Sequence, residues 1–466
     1  MSIVTKVFPD SWKTACIVPI PKSCNPAVAS DYKPISLLSV LSKILEKVIC
    51  TQLTEFLNIT GPLHSSQYAY RSRHSTEDAV LAAVERLVTN TDKGLVSSVT
   101  TIDLSKAFDS VDHDLLITKL SWYGVNDVDW FRSYLSGRRQ IVRGGRLTCP
   151  VTCGVPQGSI IGPVLFILFT NDLYGYLTHG RLISYADDTV HLDCASPDGP
   201  GLAGLKTRLG LTLRELQSWF DANSLKMNAK KTAFMLVGSK NNLLKTEQFR
   251  FELNGSEVQA STSIKILGVV VNRGLSWDAH VSSVSKKCNG ILVSLYKVRH
   301  YFTPEALKVI IQAYVFPHIT YCLCVWGGAA RGQLVKIQKL INFAARIVTG
   351  LKKHDHITQA LNSLGWPKIE TLVARRDAVK VFKALREEGA PPEIRAMFTP
   401  RAIVSKRETR ASDRGSLHLH KCRLTASQKA FSYRAAAVWN RLPPQACAAH
   451  SIDSFKTAMR SVILPM

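Results

Sequence analysis

A chain of 466 residues has room for two to four domains, and its 46% hydrophobic content excludes an intrinsically disordered polymer. The formal net charge is +24 and unevenly spread: residues 1–235 hold 24 basic and 21 acidic side chains, residues 236–350 hold 14 and 5, and residues 351–466 hold 21 and 9. That asymmetry points to a polyanion held by the second half, nucleic acid rather than membrane, because no basic amphipathic anchor stands out.

Taken in order, Trp12 to Lys22 is a short apolar strand closed by Pro-Ile-Pro-Lys, and Asp31-Tyr32-Lys33-Pro34 reads as a turn, so Lys22 and Lys33 are both delivered at strand ends. Apolar residues at spacings of three and four predict a helix from Ile35 to Leu57, ended by Gly61-Pro62. Ser75, with Asp78 behind it, is a candidate cap for a helix running to Thr89. Ser97 to Ile102 is β-prone and stops at Asp103, after which Lys106 to Asp109 and Val111 to Leu116 read as a turn and a helix start. Gly154-Val-Pro-Gln-Gly-Ser159 opens an apolar run to Phe169, and its two glycines allow a close backbone approach to a ligand. Leu182 to Cys194, LISYADDTVHLDC, has the pattern of a tight hairpin with Asp187 and Asp188 at its tip. A helix over Leu205–Trp219, a strand over Ala233–Val237 and a hairpin-like unit over Ile264–Val271 complete an α/β region. Beyond Trp277 the pattern turns helical over Val281–Val298, Pro304–Val315 and Leu334–Val348, and the chain from about residue 351 is rich in Arg, Lys, Ala and Pro.

Eleven scattered cysteines suit reduced thiols in an intracellular compartment. Cys322 with Cys324, and His418, His420 with Cys422, lack the paired spacing of a zinc module. The amino terminus lacks the apolar core of a secretory signal, and the longest apolar run, Ile160 to Phe169, is far below the roughly 20 residues that span a bilayer.

Two adjacent carboxylates at a concave turn repel each other unless a cation neutralises them. A solvated Asp-Asp turn is the plain alternative, as a helix cap is for Asp103. Three aspartates on two strand ends, with lysines from upstream loops, are the inventory for phosphoryl transfer assisted by two Mg²⁺ ions, with Mn²⁺ as a substitute. The sequence alone does not show that those two strands are neighbours.

The ordered set Asp103-xxxx-Phe108, Gly154-Val-Pro-Gln-Gly-Ser159, Tyr185-Ala-Asp-Asp188, Lys230-Lys231-Thr232 and Leu267-Gly-Val269 resembles the palm motifs of reverse transcriptases, most closely those of non-LTR (LINE-type) retrotransposons of the Jockey/CR1/L2 kind. Val438-Trp-Asn-Arg-Leu-Pro443 and Ser454-Phe-Lys456 are similar to the carboxy-terminal region of the same elements.

The resemblance implies an α+β right-hand polymerase with fingers, an antiparallel palm and a helical thumb, followed by a basic carboxy-terminal region. Residues 1–95 would form fingers and amino-terminal motifs, 96–275 the palm with inserted fingers helices, 276–350 the thumb and 351–466 the basic region. It implies metal ligation and catalysis by Asp103, Asp187 and Asp188, a steric gate at Phe108, triphosphate contacts at Lys22 and Lys33, and a nucleotide and template contact at Gln157. Lys230 or Lys231 would donate a proton to pyrophosphate, and Leu267, Gly268 and Val269 would form a primer grip. The partners implied are an RNA template, a DNA primer, the RNA–DNA duplex and dNTPs, with nuclear action and no membrane.

Lys33 replaces the usual arginine, Tyr68-Ala-Tyr-Arg71 stands for the common Gly-Phe-Arg, and Asn272 replaces a frequent Asp. An endonuclease is expected elsewhere in the element protein or missing, which makes this chain one piece of a larger protein or a truncated copy. Two other readings stay open, a catalytically silent remnant that only binds nucleic acid and a maturase-like reverse transcriptase.

Overall fold

The computed structural model describes residues 1–466 except 229–230, 248, 254–255, 405–414 and 462–466. Its centre is a four-stranded antiparallel sheet in the spatial order Ala233–Val237, Val96–Ile102, Asp188–Ala195, Arg181–Tyr185. Successive side chains on a strand face opposite sides, and here both sides are covered. Val99, Ile183, Val190, Met235 and Val237 pack in one core with the helix Thr76–Asp92. Val96, Ile102, Leu182, Phe234 and Leu236 pack in another with the helices Gly162–Phe169 and Gly199–Ala222. Double burial explains why Ala233–Val237 is an unbroken apolar run.

A second four-stranded sheet has the order Tyr32–Leu37, Thr14–Pro21, Arg138–Val142, Thr148–Val151. Its two amino-terminal strands are antiparallel, with Ile20 opposite Lys33, and Thr14–Pro21 runs parallel to Arg138–Val142. Two expectations change here. Tyr32 to Pro34 is the start of a strand rather than a turn, and the following helix begins at Val40 rather than Ile35, running to Thr60. The reason is Pro34, which disfavours helical backbone at Lys33, and the Thr14–Pro21 edge, which offers Ile35 and Leu37 a ladder. The predicted ends at Gly61, in the left-handed region at φ 65°, and at Ser75, whose hydroxyl accepts from the Asp78 amide, are as read.

The helices Asp278–Val298, Pro304–Tyr314 and Arg331–Thr349 follow the sheet region. The carboxy-terminal chain is packed rather than trailing: Phe382, Phe431, Trp439 and Phe455 share the core that holds the helix Thr76–Asp92. Lys380 reaches Asp78 at 2.9 Å and Glu77 at 3.3 Å, and Arg434 reaches Asp377 at 2.7 Å. All eleven cysteines are free thiols. Among the described residues no helix is long and apolar enough to cross a membrane.

Candidate active site

The sheet brings the acidic strand ends together. The Val96–Ile102 ladder against Asp188–Ala195 ends with Ile102 opposite Thr189, so Asp103 follows one residue past the last pair on the side of Asp188. Tyr185 pairs with Asp188, which leaves Ala186 and Asp187 as the two turn residues of the hairpin. Ala186 has φ 58°, a left-handed conformation that costs a residue with a Cβ roughly 1–2 kcal/mol. The tight turn in turn aims Asp187 off the end of the sheet.

That proximity has an electrostatic consequence. Burial raises the Asp187 carboxyl above the ordinary range, with the Asp103 charge adding to it and its own backbone amide and Lys33 opposing. Asp188 is raised by burial and then by the charges of Asp187 and Asp103. Lys231 Nζ lies 3.7 Å from Asp103 Oδ1. Lys230 lies outside the described residues.

A cleft of about 710 Å³ opens beside the turn, and Lys22, Lys33, Phe108, Gln157 and Asp187 all line it. Lys22 follows the strand Thr14–Pro21, its amide bonded to Asp31 O at 2.8 Å, and Lys33 stands on the paired strand. Phe108 lies in the short 3₁₀ turn Ala107–Ser110, its ring stacked on Phe166 with centroids 4.3 Å apart, which fixes the ring in the cleft wall. Gln157 Nε2 donates to Asp109 Oδ1 at 2.8 Å, and Gln157 O accepts from the Ser36 amide at 2.8 Å.

The glycines flanking Gln157 have a different use from the one expected. A Cβ on Gly154, at φ 85°, would lie 2.7 Å from Asp109 Cα, and one on Gly158, at φ 114°, would lie 2.7 Å from Ser36 O. They let the loop press against the Phe108 turn and the Tyr32–Leu37 strand. The close approach is to the chain's own backbone, which places Gln157.

A smaller cleft of about 150 Å³ joins Asp103, Asp188 and Lys231 to Leu267. Leu267 and Gly268, at φ 44° and 88°, turn the hairpin Ser263–Ile266 to Val269–Asn272, and Val269 is fully buried. This hairpin is tied twice to the helical bundle. Tyr321 donates its hydroxyl to Leu267 O at 2.6 Å, and the Val270 amide donates to His280 Nδ1 at 3.3 Å. Burial depresses His280 to about 4, leaving a neutral ring able to accept.

No sequence signal gives a site role to Gln67, Lys106 or Tyr321, and Tyr70 enters only within the stretch that stands for Gly-Phe-Arg. Tyr70, at φ 53°, and Lys106 line the main cleft. Gln67 is buried behind the Ala186–Asp187 turn and bonds to it. In a polar stretch, Ser65-Ser-Gln-Tyr, no periodicity singles it out.

Among the described residues no three His, Cys, Asp or Glu side chains converge as a ready metal cluster. The donor chemistry nevertheless suits a hard divalent cation: carboxylates disfavoured as anions by burial and by one another are relieved by it, and Mg²⁺ usually takes one or two carboxylates plus substrate phosphates.

A family model described as reverse transcriptase (RNA-dependent DNA polymerase) matches residues 20–271, more than half of the chain. A Drosophila melanogaster protein described as "Probable RNA-directed DNA polymerase from transposon BS" is 29% identical over 388 residues, 79% of this chain and 42% of that protein. The D. melanogaster "RNA-directed DNA polymerase from mobile element jockey" is 24% identical over 78% of this chain and 40% of its own length. The chain thus spans about two fifths of these relatives. Among solved structures, telomerase from Candida albicans in complex with a fragment of telomeric RNA aligns with a TM-score of 0.45 at 13% identity, covering 84% of this chain and 68% of that one.

Proposed function

Since the chain belongs to the reverse transcriptase (RNA-dependent DNA polymerase) family, we propose that it is the polymerase segment of a non-LTR retrotransposon protein, extending a DNA primer on an RNA template with dNTPs. One observation carries the reading: Lys22, Lys33, Phe108, Gln157 and Asp187, from four separate stretches of sequence, line a single cleft.

In this reading the unit around residues 1–95 serves as fingers, 96–275 as palm and 276–350 as thumb, and the described part of 351–466 packs against the helix Thr76–Asp92. The triphosphate lies along Lys22 and Lys33, whose charges offset the negative charge spread over phosphate oxygens in the transition state. The sugar meets Phe108, and because that ring is braced by Phe166 it cannot yield to a 2′-hydroxyl. Gln157, oriented by Asp109, meets the base pair. Asp103, Asp187 and Asp188 are the residues that would hold divalent metal, completed by the substrate phosphates. Bound there, Mg²⁺, or Mn²⁺ in its place, would lower the pKa of the primer hydroxyl and offset the charge of the departing pyrophosphate. Lys231, beside Asp103, is the candidate proton donor to that leaving group, with Lys230 as its neighbour in sequence. Leu267 and Gly268 hold the primer end against the aspartates, seated on the buried Val269 of the same hairpin, and the basic bundle contacts duplex phosphates without regard to sequence. Action in the nucleus, at the genomic target, belongs to the same reading.

Primer extension on poly(rA)/oligo(dT) with dTTP tests it. The expected result is incorporation that Asp187→Ala removes; incorporation surviving that substitution would overturn the site. Salt-dependent RNA binding with no incorporation by the wild-type chain would instead identify a silent remnant.

A further inference from the structure

The hairpin turn that carries Asp187 is held from behind by the segment around Gln67. The segment around Gln67 runs parallel to the edge strand Arg181–Tyr185: the Ser184 amide donates to Ser66 O at 2.9 Å and the Tyr68 amide donates to Ser184 O at 2.9 Å. From that position the Gln67 side chain, 1% exposed, turns toward the hairpin. Its Oε1 accepts from the Ala69 amide at 3.0 Å and from the Ala186 amide at 3.2 Å. Both partners are donors, so the amide orientation is fixed, and the residue it clamps is the one in the left-handed conformation. A glutamate could accept the same two bonds, but it would set another anion behind Asp187, whose charged form is already opposed by burial and Asp103.

This clamp is itself anchored to the carboxy-terminal region. Tyr68, fully buried, donates its hydroxyl to Glu393 Oε2 at 3.0 Å. Glu393 also pairs with Arg181, at the opposite end of the strand that leads into the turn. It sits on the short helix Pro392–Ala396, which follows the helix Ile369–Arg386 that Lys380 pins to Asp78 and Glu77. One carboxylate therefore clasps both the edge strand and the segment that carries Gln67.

We propose that Gln67 is a positioning residue that fixes the Ala186–Asp187 turn, and that Glu393 extends this control to the carboxy-terminal region through Tyr68 and Arg181. The inference rests on reading the turn as the polymerase centre. An amide acceptor that holds a strained turn in one conformation acts on the placement of Asp187, and hence on the chemical step, more than on nucleotide affinity.

The test uses the full chain with Gln67→Met, Tyr68→Phe, Glu393→Ala and Glu393→Gln. Hydrogen exchange of a peptide covering residues 184–190 should speed up at least tenfold in Gln67→Met and measurably in Tyr68→Phe and Glu393→Ala, while the strand Ala233–Val237 keeps wild-type protection. In primer extension, Gln67→Met should lower kcat at least tenfold with the dTTP KM within twofold. Glu393→Gln, which keeps an acceptor for Tyr68, should stay nearer to wild type than Glu393→Ala. Unchanged exchange at 184–190 in Gln67→Met overturns the proposal, as does loss of protection at 233–237 to the same degree, which would mark a general core residue. A wild-type chain that fails to extend primers overturns the polymerase reading alone, and the exchange arm still decides this one.

Discussion

Asp103 and Asp188 sit on adjacent antiparallel strands, one residue past the last ladder pair, Ile102 with Thr189, and at the first residue of the partner strand. Neighbouring strands lie about 4.8 Å apart, so two negative charges far apart in sequence share one edge of the sheet. The cost of that arrangement is what a cation held there would remove.

Asp187 should make stability depend on pH in divalent-free buffer. Its carboxyl is raised above 3.8 in the folded chain, by burial first and then by Asp103. The associated stability is fully present below the unfolded value and lost as pH rises through the folded one. Asp187→Asn should therefore melt higher than wild type at pH 7, by roughly 1–3 °C, and the difference should vanish toward pH 4. A calorimetric pair showing no difference at either pH counts against the assigned burial.

Phe108→Ala should admit ribonucleotides. Removing the ring opens the sugar side of the cleft and abolishes the stack on Phe166, a contact worth about 0.5–1.5 kcal/mol beyond the area it buries. The ratio of rNTP to dNTP incorporation is expected to rise at least tenfold, on the order of 1.4 kcal/mol of discrimination. An unaltered ratio in an active variant removes the gate role.

Lys33→Met should raise the dNTP KM about tenfold, the loss of one charged contact to phosphate, and Lys33→Arg should recover most of it. Lys33 lines the cleft and its charge is felt by Asp187. If steady-state kinetics show the same KM in the Met variant, the triphosphate does not lie along this strand.

Gly158→Ala should destabilise the chain by more than about 2 kcal/mol, since the new Cβ meets Ser36 O at 2.7 Å in a backbone region closed to side chains. Gly175→Ala, where a Cβ meets nothing within 4 Å, serves as the control. Urea midpoints read both; equal midpoints would falsify the packing account of this loop.

Lys380→Met should cost about 3–5 kcal/mol, because it strands Asp78 in the interior without its cation and leaves Glu77 to the more distant Arg376, at 3.9 Å. The thermal midpoint should fall for the whole molecule rather than for a separate carboxy-terminal unit. Two resolved transitions would show that the carboxy-terminal region melts by itself.

The strand ends at Asp103 and at the Asp187–Asp188 turn could be read from the sequence because a period of two, a run of apolar residues and an abrupt polar stop are local signals. The strands Arg138–Val142 and Thr148–Val151 were not, since Arg-Arg-Gln-Ile-Val becomes a strand only where Thr14–Pro21 supplies its partner. The same limit hid Gln67, whose meaning lies entirely in a bond to an amide 119 positions away. Gly154 and Gly158 are legible as points of close approach, but that they approach Asp109 and Ser36 rather than a ligand is set by tertiary contact.

The hairpin that ends in Leu267 and Gly268 hangs from the helical bundle at two points, Tyr321 on its turn and His280 on its second strand. Any rotation of that bundle would carry this turn along with it. The rim of the cleft that Leu267 shares with Asp103, Asp188 and Lys231 would shift in step, as a lever shifts with its load.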